Sequence, residues 1–508
     1  MKDSACLLGL DLGTTRVKAL LVDTNGEILV RADGEYPLKK PTNKAAEQDP
    51  EDWWKASLKV IGSVIDKSNR APQEIKAIGL AGQMHTAVFL DNDLNPVRPA
   101  ITWADNRATA EAEEIEQKVG QDNLLDLTYN RSLPGFTAPK VLWLKNHERD
   151  VFQKVNKVVL PKDFLRYRLT GKLVTEKSGA SATLLFDLEK EDWSDQLLEL
   201  VGLTRDHVPP LKESSAVVGS ISPGAADLTG LQEGTPVVAG AGDQQAAALG
   251  TGAIEPGIVT STIGTGGQIF TTARELVAPE KGQLHVFRQC LPDTWHVMGA
   301  MQSAGLALQW FKESVLDQYA KKELTFEKIS EIASDAPPGS GKLLFLPYLS
   351  GERSPHLDPN ARGCFIGLNL NHELPHLLRS IMEGVTYGMK DSLVILQEMG
   401  LPVEEIRCSG GGANSPLWRQ IQADIYNRPV TRTNIRENAA FGAALLAGMG
   451  SNLYSFSPEK WCEQSLNIKK TAKPRAANLA IYEELYTKFG DLYKALKPEY
   501  QSLYGTKF

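Results

Sequence analysis

Cysteine is scarce in this chain, and its few copies stand far apart. The 508 residues include five cysteines, and no C-x-x-C pair occurs among Cys6, Cys290, Cys364, Cys408 and Cys462. This spacing argues against a zinc site and against a disulfide framework. We therefore expect a reducing compartment and predict a cytoplasmic protein.

Long runs of basic or apolar residues are missing as well. Lys and Arg number 55 against 62 Asp and Glu, which gives a net charge of −7, and no basic run exceeds a few residues. The charge pattern therefore gives no indication of binding to nucleic acid or to anionic membranes. No stretch of about 18 apolar residues is present to span a bilayer. The short apolar run near the start is interrupted by Asp11, so we do not read it as a signal peptide. A small molecule is the expected partner.

Two common nucleotide motifs are absent. Gly339-Ser340-Gly341-Lys342 resembles the end of a P-loop, but Leu343 follows where the metal-binding Ser or Thr belongs. We interpret it as a linker and the preceding segment 335–340 as a mobile surface connection. Gly264-Thr265-Gly266 lacks the third glycine of a dinucleotide fingerprint, since Ile269 occupies that position. The sequence therefore predicts neither a P-loop NTPase nor a nicotinamide-dependent enzyme.

What the chain does contain is a pair of glycine-rich turns, each entered from an apolar run. The first is Gly9-Leu10-Asp11-Leu12-Gly13-Thr14-Thr15, and the second is Ile263-Gly264-Thr265-Gly266-Gly267. Glycine lets backbone amides approach a phosphate closely, and threonine adds hydroxyl donors. Between the turns, Ala241-Gly242-Asp243-Gln244-Gln245 places an acid among small residues. The layout predicts phosphoryl transfer in a cleft between two domains.

The length exceeds the ~250–300 residues at which one hydrophobic core stops growing, so we expect at least two α/β domains. We divide the chain into residues 1–250, 251–455 and a helical tail, 456–508. The hydrophobic pattern and turn residues predict further elements. These are helices over 51–68 and 301–316, strands over 75–81, 258–263, 267–272 and 405–409, and one or two amphipathic helices beyond about 470.

Two longer segments resemble the signatures of the FGGY family of carbohydrate kinases. The first is Gly135-Phe136-Thr137-Ala138-Pro139-Lys140-Val141-Leu142-Trp143, and the second runs from Gly363-Cys364-Phe365 to Glu383 with one residue fewer in its spacer. The resemblance covers about residues 6–450. It implies an α/β fold of two ribonuclease H-like domains, of the actin and hexokinase type, with the catalytic cleft between them. It also implies ATP and Mg²⁺ as cofactors, and a homodimer is a common assembly of similar kinases.

Within the family, the segments Gly82-Gln83-Met84-His85 and Pro347-Tyr348-Leu349-Ser350-Gly351-Glu352-Arg353 are similar to those of xylulokinases. We therefore expect D-xylulose as the substrate and its 5-phosphate as the product. Glycerol kinases carry Arg-Glu in place of Met84-His85, which disfavours glycerol. Gln244, where xylulokinases usually have Asn, and Thr86, where they have Gly, leave ribulose, other ketoses and polyols open. A chaperone-type or filament-forming ATPase is the alternative outside the sugar kinases.

The resemblance and the chemistry of phosphoryl transfer together assign roles to individual residues. Asp243 is the expected base for the attacking hydroxyl, or else only a helix cap, and Asp11 is the expected acid on the Mg²⁺ side, with Asp243 as a second metal ligand. Nucleotide phosphates and adenosine are assigned to Gly13, Thr14, Thr15, Gly264, Thr265, Gly266, Gly411, Gly412 and Asn414. The sugar is assigned to Met84, His85, Trp103, Asp105, Asp243 and Gln244. The other histidines, His285 among them, show no metal or triad spacing and are interpreted as structural.

Overall fold

The first half of the chain is built on a seven-stranded mixed sheet. The computed structural model describes residues 5–319, 323–454, 457–466 and 468–505. In chain order, the strands of this half are β1 (Cys6–Leu12), β2 (Arg16–Asp23), β3 (Ile28–Glu35), β4 (Glu47–Gln48), β5 (Ile75–Gly82), β6 (Val88–Leu90), β7 (Ala100–Ile101), β8 (Lys157–Val159), β9 (Thr175–Glu176), β10 (Phe186–Asp187), β11 (Asp192–Trp193), β12 (Leu211–Lys212), β13 (Val217–Ser220), β14 (Pro236–Val238) and β15 (Ala241–Gly242). The large sheet has the order β13-β14-β5-β1-β2-β3, and β15 also pairs with β5.

The helices of this half pack on the sheet and against one another. They are α1 (Pro50–Ser68), α2 (Thr109–Val119), α3 (Gln121–Thr128), α4 (Thr137–His147), α5 (Arg149–Phe152), α6 (Pro161–Thr170), α7 (Lys177–Ser181), α8 (Asp195–Val201), α9 (Pro223–Thr229) and α10 (Asp243–Thr251). The start of α1 follows from its sequence, because the Asp49 side chain accepts a hydrogen bond from Glu51 N at 3.0 Å and Pro50 takes the first helical position.

The second half is built on another seven-stranded sheet, with the order β18-β19-β17-β16-β22-β23-β24. Its strands are β16 (Gly257–Ile263), β17 (Gly267–Ala273), β18 (His285–Arg288), β19 (Trp295–Met301), β20 (Leu344–Leu346), β21 (Cys364–Ile366), β22 (Val403–Gly410), β23 (Val430–Thr433) and β24 (Ile468–Ala472). Its helices are α11 (Gly305–Phe311), α12 (Asp317–Tyr319), α13 (Phe326–Ala333), α14 (Leu374–Glu398), α15 (Pro416–Tyr426), α16 (Asn438–Gly450), α17 (Pro458–Ser465) and α18 (Ala476–Tyr504).

The two sheets repeat one arrangement. In the first, β1 pairs antiparallel with β2 on one side and parallel with β5 on the other; in the second, β16 pairs antiparallel with β17 and parallel with β22. Each glycine-rich turn joins the two antiparallel strands of its own sheet. This duplication confirms that the second half repeats the theme of the first, and confirms the expected two-domain α/β fold.

Helices α10 and α16 lie in the seam between the two sheets. Helix α16 packs against β1 and β5, and α10 packs beside it. A Cβ on Gly9 or Gly79 would collide with the carbonyl oxygens of Ala440 and Ala443, so glycine is what allows the helix backbone this close to the sheet. At the other end of α10, Arg407 donates to the carbonyl of Thr251 at 2.6 Å and ties the helix to the second sheet.

Most predicted elements are present, and two need correction. Strands β5, β16, β17 and β22 and helix α1 lie where the pattern placed them, and the tail contains one long helix, α18, after β24. The predicted helix over 301–316 begins too early, and its C-terminal part is helical but not regular α-helix. Met301 still pairs with Gly267 in the sheet, the helix begins only at Gly305, and residues Lys312–Leu316 form a π-helical turn. The predicted division at residue 250 falls within α10, and the domain boundaries stay predictions.

Segment 335–340 was predicted to be a mobile surface connection, but only part of it lies at the surface, since Ala336, Gly339 and Ser340 are buried. Ser340 is fully buried and donates to Glu383 Oε2 at 2.8 Å, and Gly339 N donates to Glu383 Oε1 at 3.0 Å. Arg379 and the Tyr482 hydroxyl donate to the same carboxylate at 2.8 and 2.7 Å. Glu383 therefore holds this segment, α14 and α18 together.

Among the described residues, no helix has both the length and the apolar character needed to cross a membrane.

Candidate functional site

Three chain segments meet at one edge of the first sheet. Strand β5 lies between β1 and β15, and both pair with it in parallel, so their carboxyl ends point the same way. The register sets Leu12 and Gly242 on either side of Gly82. Asp11 therefore lies at the end of one neighbour, and Asp243 directly follows the other. Met84 and His85 continue from the central strand between them, so the sheet brings the predicted catalytic and sugar-binding residues together.

The two carboxylates influence each other electrostatically. Burial and the charge on Asp11 raise the pKa of Asp243 to about 7, against which hydrogen bonds from the Gln244 backbone and side chain act. Burial likewise raises the pKa of Asp11, partly offset by Lys18, whose Nζ lies 3.9 Å from Asp11 Oδ2. Asp11 Oδ1 is buried without a hydrogen-bond partner among the described residues. The two carboxyl groups therefore lie close enough to disfavour each other's ionisation, and Lys18 is the cation that opposes this effect.

The first glycine-rich turn is tied to the rest of the site. The Gly13 carbonyl accepts the Tyr36 hydroxyl at 2.5 Å, and the Thr14 hydroxyl accepts Trp103 Nε1 at 2.9 Å. Thr15 is exposed at the tip of the turn. The structure thus joins a predicted phosphate-binding residue, Thr14, directly to a predicted sugar-binding residue, Trp103, whose side chain is 42% exposed.

His85 has an unusual backbone conformation. Its φ of +66° lies in the left-handed region, which residues other than glycine seldom adopt. Backbone strain of this kind concentrates at functional sites. The Thr137 hydroxyl and Lys140 Nζ both donate to the His85 carbonyl, at 2.9 and 3.1 Å. The imidazole Nδ1 lies 2.5 Å from the Ala182 carbonyl, so it carries the proton and leaves Nε2 as an acceptor.

Lys140 is fully buried and holds two turns of the site. Besides the His85 carbonyl, its Nζ donates to the Gly135 carbonyl at 2.6 Å. Burial holds the pKa of this lysine well below its usual value, partly opposed by the negative charge of Asp105. Lys140 belongs to the first signature segment, and sequence reasoning gave it no role of its own.

Asp105 is engaged by protein groups on both oxygens. It is fully buried, accepts from Ala46 N at 2.6 Å and receives the Arg107 guanidinium side-on, with contacts of 2.8 to 3.0 Å. Its predicted contact with sugar stays a prediction, as do the assignments of the other site residues.

The turns assigned to the nucleotide meet at the edge of the second sheet. Ile263 and Gly410 are register partners, so the turns that follow β16 and β22 lie side by side. A Cβ on Gly410 would lie 2.5 Å from the Ile263 carbonyl oxygen, and one on Gly412 would lie 2.7 Å from the Ile263 Cβ. Glycine is therefore required for the two turns to approach each other. Thr265, Gly411 and Asn414 are exposed there.

A cluster that sequence reasoning missed links the second half to His85. His285 Nε2 accepts from Arg353 Nε at 2.8 Å, and its Nδ1 donates to Asn130 Oδ1 at 3.0 Å. The Phe136 ring lies 4.5 Å from the His85 ring and 5.7 Å from the His285 ring. Burial and the Arg353 charge hold the pKa of both histidines well below the usual value, so both rings are neutral.

No local signal pointed to this cluster. Its members come from strand β18, from a loop after β20 and from the segments before α4, and their partners stand tens to hundreds of residues away in the chain. Arg353 lies within one of the quoted xylulokinase-like segments, which was the one available indication. Spacing alone gave His285 a structural interpretation.

Comparison with known proteins gives a consistent picture. The N-terminal domain model of the FGGY family of carbohydrate kinases matches residues 6–250, and the C-terminal domain model matches residues 259–451. The chain is 38% identical to a xylulose kinase of Bacillus subtilis over 97% of this chain and 98% of that protein. It is 31% identical to a gluconokinase of the same organism over 96% and 98% of the two chains. A crystal structure of a xyloylose kinase from Brucella ovis superposes with a TM-score of 0.90 at 35% identity, covering 97% of this chain and 99% of the other.

Proposed function

Because the chain belongs to the FGGY family of carbohydrate kinases, we propose that it transfers the γ-phosphoryl group of ATP to D-xylulose and forms D-xylulose 5-phosphate. The observation that carries the proposal is the carboxylate pair at the edge of the first sheet, in a chain that is similar over nearly its whole length to xylulose kinases. Family members are sugar kinases that use ATP, and the pair supplies what such a reaction requires.

Asp243 is proposed to accept the proton of the attacking hydroxyl. A pKa of about 7 leaves about half of the Asp243 carboxyl groups ionised at pH 7 and makes the carboxylate basic enough to take a proton. Gln244 fixes the carboxylate through its backbone and side-chain hydrogen bonds. Asp243 is the first residue of α10, but Gly242 holds the cap position and no side chain caps this helix end, so the interpretation of Asp243 as a helix cap is wrong.

The residues around Asp11 fit a magnesium ion. Asp11 has a buried oxygen without a partner among the described residues. The Asp243 carboxylate lies close enough for the charge of Asp11 to raise its pKa. Mg²⁺ commonly takes one or two carboxylates from a protein and completes its shell with water and phosphate. A bound Mg²⁺ would neutralise charge on the transferring phosphoryl group.

The turns around Gly13, Gly264 and Gly411 are proposed to hold the nucleotide, and Met84, His85 and Trp103 the sugar. The family resemblance alone supports a homodimer and a cytoplasmic location. Light scattering on the purified protein tests the dimer, and fluorescence microscopy of a tagged chain tests the location.

A sugar acid is the second candidate substrate. Arg353 lies beside the two neutral histidines and makes no ion pair among the described residues. Burial lowers the pKa of its guanidinium to about 10. Such a cation suits a carboxylate, and one of the relatives is a gluconokinase.

A coupled assay of ADP release with D-xylulose, D-ribulose, L-ribulose, gluconate and glycerol tests the proposal. We expect D-xylulose to give the highest kcat/KM and ATP turnover without sugar to be far slower. A higher kcat/KM for gluconate would establish the second candidate. Faster turnover with glycerol would contradict the inference from Met84 and His85 that glycerol is disfavoured. Equal ATP turnover with and without sugar would favour an ATPase of another kind.

A further inference from the structure

Gln245 is a fully buried glutamine with no partner for its side chain. Neither its Nε2 nor its Oε1 makes a hydrogen bond within the described part of the chain, although the residue has no exposed surface. A buried amide left unpaired costs free energy, and each native example calls for an explanation. Gln245 stands two residues after Asp243, at the third position of α10.

The amide group of Gln245 lies at the sugar side of the site. Side chains in the first turn of a helix point back toward its N-terminus. In agreement, a Cβ on Gly242 would collide with Gln245 Oε1 and would lie 3.0 Å from Met84 Cγ. The amide oxygen and the Met84 side chain therefore approach the same point, immediately before the proposed base. Because Gly242 has no side chain, the Gln245 amide oxygen can occupy this point beside Met84.

Other groups near Gln245 are already engaged. The Gly242 amide donates to Ser178 Oγ at 3.1 Å, and the Gln245 backbone carbonyl accepts from Cys290 Sγ at 3.5 Å. These bonds fix the backbone on both sides of the amide. The side-chain amide itself has no hydrogen-bond partner among the described residues.

We propose that the Gln245 amide is a specificity-determining group that binds the sugar hydroxyl next to the one that is phosphorylated. This inference rests on the proposed function, because it takes Asp243 as the residue that receives the reacting hydroxyl. In an open-chain pentulose phosphorylated at O5, the neighbouring hydroxyl is O4. Gln245 thus distinguishes D-xylulose from L-ribulose, its epimer at C4.

Gln245→Met tests the inference, since methionine keeps the length of the chain and removes the amide. Loss of one neutral hydrogen bond is worth up to about tenfold, so we expect KM for D-xylulose to rise by about that factor while KM for ATP stays within twofold. The ratio of kcat/KM between D-xylulose and L-ribulose should fall by a similar factor. The midpoint of thermal unfolding without sugar should rise, because an unpaired buried polar group has been removed.

Gln422 provides a matched control. It is also fully buried, but its Oε1 accepts from Ser261 at 2.8 Å and its Nε2 donates to the Trp418 carbonyl at 3.4 Å. Gln422→Met should lower the unfolding midpoint and leave the epimer ratio unchanged. Gln245→Leu serves as a second variant, so that poor packing of methionine does not decide the result.

Unchanged KM for D-xylulose and an unchanged epimer ratio in both folded Gln245 variants would overturn the inference. The proposed function is judged separately, by the wild-type protein. If the wild type phosphorylates no ketose, the proposed function fails first. If the wild type phosphorylates D-xylulose and the variants do so equally well, only the role of Gln245 fails.

Discussion

Asp11 and Asp243 stand at the ends of two strands that flank β5, and the charge of Asp11 contributes to the raised pKa of Asp243. Two nearby carboxylates repel each other when both are ionised. A site of this kind loses stability in exchange for function. The pair therefore offers tests in which activity and stability change in opposite directions.

Asp243→Asn should reduce kcat by about 10²–10⁴-fold, because asparagine keeps the shape of the side chain but cannot accept the proton. ATP affinity, measured by calorimetry, should change little. The unfolding midpoint should be equal to or higher than that of the wild type, since one of two repelling charges is gone. Near-normal phosphorylation by the folded variant would remove Asp243 as the proposed base.

Asp11→Asn should weaken the metal-dependent step rather than proton transfer. We expect the Mg²⁺ concentration needed for half-maximal activity to rise, and activity to recover in part at high Mg²⁺. The same titration on Asp243→Asn serves as the comparison and should show no such recovery. Identical Mg²⁺ dependence of wild type and Asp11→Asn would remove Asp11 from the proposed metal site.

Lys140→Met should act on the sugar and not on the nucleotide. Without the ammonium group, the His85 and Gly135 carbonyls lose a shared donor, and the left-handed backbone at His85 is less firmly held. A displaced binding group of this kind costs about tenfold or more, so KM for D-xylulose should rise by at least that factor while KM for ATP is unchanged. Lys145→Met, on the same helix and partly exposed, should leave both constants unchanged.

Gly79→Ala should destabilise the protein by about 1–3 kcal/mol or more, because its Cβ would collide with the backbone of Ala443 in α16. Gly62→Ala is the control. Nothing lies within 4 Å of a Cβ on Gly62, which stands inside α1, so this change should stabilise by about 0.5–1 kcal/mol. Denaturant unfolding of the two variants measures both effects, and equal stability of the two would refute the steric account of the seam.

Glu352 makes stability depend on pH. Burial raises its pKa to about 8, although Arg353 N and Gln302 N donate to its Oε1 at 2.7 and 3.0 Å. The folded state keeps the Glu352 proton up to about pH 8, whereas the unfolded state releases it near pH 4.5. The contribution of Glu352 to the free energy of unfolding is therefore fully present below pH 4.5 and is lost as pH rises toward 8. Glu352→Gln should therefore gain stability relative to the wild type as pH increases. Thermal unfolding at pH 5, 6.5 and 8 compares the two, and a constant difference would contradict the assignment.

Residues next to strand ends were the most predictable part of the site. Asp11, Met84 and Asp243 each follow or end an apolar run, and parallel neighbours in one sheet bring such ends together. Helix 301–316 was placed too early because local composition does not reveal that Met301 is held by a strand 34 residues before it, at Gly267. Segment 335–340 looked loose because Glu383, which secures it, lies on a different helix.

His285 and Gln245 were missed for different reasons. The partners of His285 are remote in sequence, so its tautomer and its contact with Arg353 depend on tertiary structure alone. Gln245 was read as part of a helix, and only its burial without partners among the described residues distinguishes it from Gln422. Sequence pattern reports which residues are apolar, but it does not report which polar atoms lack a partner.

The glycine contacts between α16 and the first sheet mean that the two halves of the chain are not independent folding units. A fragment ending after α10 would expose the face of β1 and β5 that α16 covers, and that face is lined by glycine, alanine and leucine. The helix that covers it arrives nearly 200 residues later in the chain. Completion of the first half therefore waits for the synthesis of the second, and during translation the early sheet depends on a helix that has not yet emerged.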